Sequence, residues 1–209
     1  MNLSEFFNAS LFRFGRRLRV AGFDARVLLA EPSELRMIET RLVEALSLVS
    51  HYSPIRYSHL RRDLPRLWVC AIPAAAAWCL SGARMCLINL EYLTEESTTP
   101  ARLALTLVHE GTHARLARAG FKYTDGTRAR MERICFLTEL ILARRLPDSP
   151  QHVGAIEQTL GQPDSYFSRN AQTERELREI SELGLLGRLG ARMRRAILWV
   201  RRARPFGAA

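Results

Sequence analysis

Residues 100–120, with the sequence PARLALTLVHEGTHARLARAG, decide the fold predicted for this chain. Thr99 can accept a hydrogen bond from a free backbone N–H of the first helical turn, and Pro100 suits the first helical position. Gly120 suits the left-handed conformation that commonly follows a helix end. Residues 103–108 carry no charge, so this part of the helix can be buried. The pattern therefore predicts a helix that begins at Pro100 and ends just before Gly120.

The centre of this helix carries the motif HExxH, formed by His109, Glu110 and His113 with Gly111 and Thr112 between them. Residues four apart lie on one face of a helix, so both imidazole rings can offer a nitrogen to the same ion. Glu110, at the adjacent position, can reach a water molecule bound to that ion. The motif therefore predicts a zinc site suited to hydrolysis.

A catalytic zinc site needs a third protein ligand besides two histidines and a water. Residues 127–146 predict a second helix, which Pro147 ends. The loop at 120–126 contains two glycines and can reverse the chain between the two helices. Such a hairpin can bring Glu132, which is separated from His113 by eighteen residues, back over the first helix. Glu132 is therefore a candidate for the third ligand.

At this point residues 84–146 resemble the gluzincins, the thermolysin-like zinc peptidases in which HExxH is followed by a glutamate on the next helix. The resemblance implies that His109, His113 and Glu132 are metal ligands and that Glu110 is the general base. It also implies one Zn²⁺ ion and hydrolysis of peptide bonds through a metal-activated water.

The chain departs from the gluzincin pattern at the acid expected four residues after the third ligand, where it has Phe136. Glu139 lies seven residues after Glu132 on the same helical face and can replace that acid in supporting a ligand. Glu139 is also an alternative third ligand, and Asp125 is another. The resemblance to the gluzincins favours Glu132 over both.

Peptide hydrolysis also needs a group that stabilises the negative charge developing on the oxygen of the attacked carbonyl. The candidates are Tyr123, Tyr166, His152 and an arginine. The linear sequence does not position any of them, and Tyr123 is our predicted stabiliser.

The remaining patterns predict an α+β protein in which a small sheet precedes the HExxH helix, an order that resembles the zincin-like fold. Apolar residues at spacings of three and four predict a helix over residues 33–50, and residues 51–63 are predicted to be an irregular connection. Residues 67–72 and 85–90 are apolar runs typical of strands, whereas residues 74–80 fit a strand or a buried helical turn. The resemblance to the zincins also implies an edge strand that holds an extended substrate by main-chain pairing.

Two parts of the chain are distinguished. Residues 1–147 are predicted to form the metallopeptidase domain with its N-terminal helix, and residues 148–209 a helical extension. Within the extension, Thr173 and Glu176 form a capping box that predicts the start of a helix, and Gly184 is a candidate for its end.

The composition predicts a folded cytoplasmic protein. A chain of 209 residues with 47% hydrophobic residues can bury a core. The N-terminus lacks the pattern of a signal peptide, and the longest uncharged run, residues 67–82, is too short to cross a bilayer comfortably. Cys70, Cys79, Cys86 and Cys135 lack CxxC spacing and are predicted to be small buried residues rather than metal ligands or disulfides.

The net charge of +10 is concentrated near the C-terminus. Residues 185–204 contain seven arginines and no acid, and Leu189, Met193, Ile197 and Val200 give them one apolar face. This basic amphipathic helix can pack on the domain or make a peripheral contact with the inner face of an anionic membrane. Nucleic-acid binding is disfavoured because no nucleic-acid-binding motif accompanies the charge.

The sequence thus predicts a zinc metallopeptidase that acts on a peptide or protein substrate. Two other functions fit part of the pattern: a metal-binding zincin-fold protein with a recognition or regulatory role, and a basic protein that binds a membrane surface. Loss of cleavage in a Glu110→Gln variant would favour the peptidase over the recognition protein. Partner binding without metal would favour the surface-binding protein.

Overall fold

A computed structural model describes residues 12–20, 22–28, 30, 32–70, 76–147 and 149–182 of the chain. Within these ranges the protein has an α+β fold with a five-stranded mixed sheet and seven α-helices. The strands are β1 Arg16–Leu18, β2 Asp24–Val27, β3 Arg66–Cys70, β4 Ala77–Leu80 and β5 Met85–Asn89. The helices are α1 Pro32–Tyr52, α2 Pro54–Asp63, α3 Leu90–Thr94, α4 Pro100–Arg118, α5 Asp125–Ala143, α6 Pro150–Leu160 and α7 Arg169–Glu182.

The sheet has the strand order β1-β2-β3-β5-β4. Strands β2, β3 and β5 are parallel, while β1 and β4 run antiparallel to their neighbours at the two edges. The two predicted strand runs correspond to β3 and β5. Of the two alternatives for residues 74–80, the strand is confirmed at β4. Strands β1 and β2 were not predicted.

The sheet is buried on both faces, which explains why its central strands are continuously apolar. Leu67 and Ile88 belong to the main core with the helices, whereas Trp68 and Leu87 belong to a second cluster. Because neighbouring residues of a strand point to opposite faces, runs such as LWVC and MCLIN fill both sides.

The helix predicted over residues 33–50 is confirmed as α1. Its predicted stripe is the buried face, since Ile38, Leu42 and Val49 have no exposed surface. The prediction for residues 51–63 is wrong, because most of this segment forms α2 rather than an irregular connection.

Helix α2 is stabilised mainly by packing against α4. A polar ten-residue helix is marginal on its own, but Pro54 suits its first turn and Leu60 is buried. A Cβ atom added to Gly111 of α4 would lie 2.5 Å from the Cδ2 atom of Leu60. The glycine within HExxH therefore allows α2 to approach the motif helix closely.

Helices α4 and α5 form the predicted hairpin. The Thr99 hydroxyl accepts the backbone N–H of Arg102, and Gly120 has a φ of 88°, as expected for the left-handed end of α4. Helix α5 begins two residues before the predicted Thr127, whose hydroxyl accepts the backbone N–H of Thr124 in the turn.

The start predicted for the C-terminal helix is wrong. Helix α7 begins at Arg169, and the Ser168 hydroxyl accepts the backbone N–H of Ala171 at its first turn. The Thr173 hydroxyl donates within the helix to the Arg169 carbonyl instead of capping it. Gly184 and the arginine-rich segment at 185–204 lie outside the described residues. None of the helices in the described ranges is long and apolar enough to cross a membrane.

Asp63 joins α2 to α4 and makes the stability of the fold depend on pH. Its side chain is 1% exposed and contacts Arg62 at 2.7 Å and Arg118 at 2.8 Å. Hydrogen bonds from Arg62 and then Arg118 outweigh the effect of burial and lower the pKa of Asp63 from 3.8 to about 2. A carboxyl with a lowered folded-state pKa stabilises the protein above its unfolded-state pKa and loses this effect as the pH falls through the folded value.

We therefore expect Asp63→Asn to lower the free energy of unfolding near neutral pH by about 1–2 kcal/mol, after discounting for the exposed arginines. Urea unfolding at several pH values should show the difference from wild type shrinking as the pH falls from about 4 toward about 2. The control is Asp24→Asn, which removes a more exposed ion pair, with the Asp24 carboxylate 3.3 Å from Nε of Arg26, and should cost less than about 1 kcal/mol. A deficit for Asp63→Asn that is independent of pH would contradict the prediction.

Candidate metal centre

Two helices bring three predicted ligands together. Helix α4 places His109 and His113 one turn apart, with their Nε2 atoms separated by 3.1 Å. Helix α5 contributes Glu132, whose Oε2 lies 3.3 Å from His109 Nε2 and whose Oε1 lies 3.6 Å from His113 Nε2. The three side chains are only 12–15% exposed, so the donor atoms meet in a mostly enclosed space.

These separations fit a metal ion. In a tetrahedral site with metal–ligand distances of about 2.0–2.1 Å, neighbouring donor atoms lie about 3.3 Å apart. The two histidine nitrogens lie 3.1 Å apart, and the carboxylate oxygens of Glu132 lie 3.3 and 3.6 Å from them. Two imidazoles and a carboxylate are also a donor set that suits zinc.

Cys135 is a further donor at this place. Its Sγ and a ring nitrogen from each of His109 and His113 all lie within 4.8 Å of one another, so these three residues can bind a metal ion. This cysteine was predicted to be a small buried residue, and it is fully buried. Its position three residues after Glu132 on the same helix was the signal that it faces the histidines.

The two candidates for third ligand differ electrostatically. Burial raises the pKa of the Cys135 thiol, so this group must lose a firmly held proton before it binds metal. Burial alone would also raise the pKa of Glu132, but hydrogen bonds from His109 and His113 outweigh it and lower that pKa below its usual range. Glu132 is therefore already charged and oriented toward both rings.

Glu139 lies behind His109. Its Oε1 is 2.9 Å from Nδ1 of His109, on the opposite side of the ring from the nitrogen that faces Glu132. Burial lowers the pKa of His109, but the carboxylates of Glu139 and Glu132 outweigh this effect and raise it well above its usual value. Phe136, which stands where the gluzincin pattern has an acid, packs edge-on against the same ring at 4.9 Å. In this arrangement Glu139 has the position expected of a group that supports a ligand from behind.

We expect Glu139→Gln to weaken zinc binding by roughly 10-fold without abolishing it, because the loss of a partner behind a ligating histidine costs about 10- to 100-fold. Competition with a chromophoric chelator measures the affinity. Complete loss of zinc, as for removal of a ligand, would instead identify Glu139 as the third ligand.

Glu110 reaches the neighbouring edge strand. Its carboxylate accepts a hydrogen bond from the backbone N–H of Cys79 in β4. Burial raises the pKa of Glu110, and the nearby His113 and His109 oppose this rise. The carboxylate therefore lies within electrostatic reach of both histidines, and β4 fixes its position.

In the register that the sheet adopts, alternate residues of β4 turn their main-chain groups to its outer edge, where no other strand of the described ranges pairs with it. The Asn89 N–H donates to the Ala76 carbonyl, so these opposed residues form a hydrogen-bonded pair. Pairs alternate along antiparallel strands, so the next residues, Ala77 and Cys79, turn their main-chain groups away from β5. The Cys79 N–H is used by Glu110, while the main-chain groups of Ala77 point to the same edge.

Tyr123 contacts two of the predicted ligands. Its hydroxyl donates a hydrogen bond to Oε1 of Glu132, and its ring packs edge-on against His113 with a centroid distance of 5.3 Å. Burial and the adjacent Glu132 raise the pKa of Tyr123, so the hydroxyl keeps its proton.

Three other residues named in the sequence analysis make different contacts. Asp125 lies at the start of α5, and its Oδ1 atom is 3.7 Å from Nε of Arg169. Tyr166 is covered by Arg175, whose Cζ lies 3.9 Å from its ring centroid. His152 lies in the first turn of α6, where burial and Arg102 lower its pKa.

Comparison with known proteins returned no match to a family model, to a curated protein or to a solved structure. The interpretation of this site therefore depends on its geometry and on the motif.

Proposed function

We propose that the protein is a gluzincin-like zinc metallopeptidase with His109, His113 and Glu132 as its metal ligands. The observation that carries this proposal is the convergence of the three side chains at 3.1–3.6 Å, with the Glu110 carboxylate beside them. A chance HExxH on a surface helix would lack the third donor and the carboxylate behind His109.

When bound, zinc lowers the pKa of a coordinated water toward about 7 and polarises a carbonyl group. Glu110 takes the proton from the attacking water and delivers it to the leaving amine. The hydrogen bond from the Cys79 N–H restricts the orientation of the Glu110 carboxylate near the two histidines.

The substrate we propose is an extended peptide that lies along β4. The main-chain groups of Ala77 point to the outer edge of β4 and can pair with a peptide strand there, as in β-strand addition. Because the same strand holds Glu110, pairing there brings a peptide bond next to the base. This geometry favours a peptide over a compact small molecule.

Elemental analysis of full-length protein purified without added metal tests the metal centre. We expect close to one zinc per chain in wild type and almost none in His113→Ala. His51→Ala is the matched control, because His51 is an exposed histidine of α1 and should leave the zinc content unchanged. Folded wild-type protein without zinc, and unable to bind added zinc, would overturn the proposal.

Cleavage of a peptide library by the zinc-loaded protein tests the activity. We expect turnover that a chelator stops and that stoichiometric zinc restores. Zinc binding without cleavage of any peptide would favour a non-catalytic metal-binding role in recognition or regulation.

A further inference from the structure

Tyr123 contacts the proposed metal ligands and, through Arg128, is connected to helix α7. It lies in the loop between α4 and α5, donates a hydrogen bond from its hydroxyl to Glu132 and packs on His113. One aromatic side chain thus constrains two of the three proposed ligands. A carboxylate on a helix can rotate about several bonds, so an outer partner is needed to hold it in a binding orientation.

Arg128 holds Tyr123 from the other side. Its Cζ atom lies 4.9 Å from the centroid of the tyrosine ring, within the range of a cation–π interaction. Among the described residues, the buried Nε atom of Arg128 has no hydrogen-bond partner.

Gln172 holds Arg128. The Arg128 Nη2 atom donates to Oε1 of Gln172, which lies on α7 and comes from a part of the chain distant in sequence from HExxH. Arg169, one turn earlier in α7, lies near Asp125 at the start of α5, so two contacts connect these helices.

We propose that Gln172, Arg128 and Tyr123 form a positioning chain that orients Glu132 for the metal. The inference rests on the proposed metal centre, but not on catalysis. None of the three residues needs to touch the substrate. The role we assign to Tyr123 differs from that of a transition-state stabiliser, since its loss would weaken metal binding itself.

A double-mutant cycle on the full-length chain tests the chain of contacts. Zinc affinity is measured by chelator competition for wild type, Tyr123→Phe, Arg128→Gln and the double variant. We expect each single substitution to weaken zinc binding about 10-fold or more, in the range of lost outer partners. In the Tyr123→Phe background, Arg128→Gln should have little further effect, because the hydroxyl through which it acts is absent.

Three further variants separate positioning from a general loss of stability. Arg128→Lys keeps a cation over the ring and should recover part of the affinity, and Gln172→Ala should weaken binding in the same direction as Arg128→Gln. Arg130→Gln is the control, because Arg130 is an exposed arginine on the same helix. It should bind zinc as wild type does.

The outcomes distinguish the two proposals. Zinc binding that is intact in wild type and unchanged in Tyr123→Phe or Arg128→Gln would overturn the positioning chain and leave the metal centre standing. Fully additive losses would also overturn it, because they would show two independent effects. Failure of the wild-type protein to bind zinc would overturn both.

Discussion

Glu110→Gln is expected to abolish peptide hydrolysis while the protein keeps its zinc. The substitution preserves the size of the side chain and its ability to accept the Cys79 N–H, but it removes the group that takes a proton from water. General-base catalysis contributes about 10²- to 10⁴-fold, so kcat should fall by at least about 100-fold. KM should change little if peptide binding depends on β4.

Steady-state cleavage of a fluorogenic peptide, with zinc content measured on the same samples, checks this result. Glu96→Gln is the matched control, because Glu96 is an exposed glutamate in the segment before α4 and should leave kcat unchanged. Equal activity of Glu110→Gln and wild type would show that Glu110 is not the base. Loss of zinc from Glu110→Gln would show that its carboxylate supports the metal directly.

Glu132→Ala is expected to remove tight zinc binding. The carboxylate oxygens lie 3.3 and 3.6 Å from the histidine nitrogens, so the alanine variant retains only two of the three proposed ligands. The loss of affinity should exceed the roughly 10- to 100-fold that removal of an outer partner costs. Zinc per chain after dialysis, followed by chelator competition, measures it.

Cys135→Ala is the informative comparison for Glu132→Ala, since the cysteine is the other donor near both histidines. We expect Cys135→Ala to retain zinc, because its buried thiol holds its proton more firmly than the Glu132 carboxyl does. The opposite pattern, with zinc lost from Cys135→Ala and kept by Glu132→Ala, would assign the third ligand to the thiolate. Circular dichroism of both variants without metal should show a folded protein, which separates metal loss from unfolding.

The sequence predicted well where local rules are strong. Thr99, Pro100 and Gly120 act within a few residues of the helix ends, so α4 was predicted nearly to its bounds. The spacing of apolar residues in α1 likewise reflects one helix meeting one core. The failures are segments stabilised by distant partners. Helix α2 has few apolar residues and depends on Leu60 meeting Gly111.

The start of α7 shows a different kind of failure. Both Ser168 and Thr173 are residues that commonly cap helices, and a local motif does not reveal which one the chain uses. In the structure the Ser168 hydroxyl accepts the N–H of Ala171 at the helix start, whereas the Thr173 hydroxyl donates to the Arg169 carbonyl within the helix. Strands β1 and β2 are short, and their pairing with β3 is not encoded by any local pattern.

For the candidate site, the sequence by itself determined the placement of His109, Glu110 and His113 on one helix, because helical periodicity fixes which residues share a face. It also narrowed the third ligand to a few acids. Only the tertiary structure placed Glu132 against both histidines, Glu139 behind His109 and Cys135 beside them. It alone placed Cys79 against Glu110 and Gln172 within reach of Arg128. These contacts join residues of separate helices and strands, and their distances depend on how the elements pack, which local patterns do not encode.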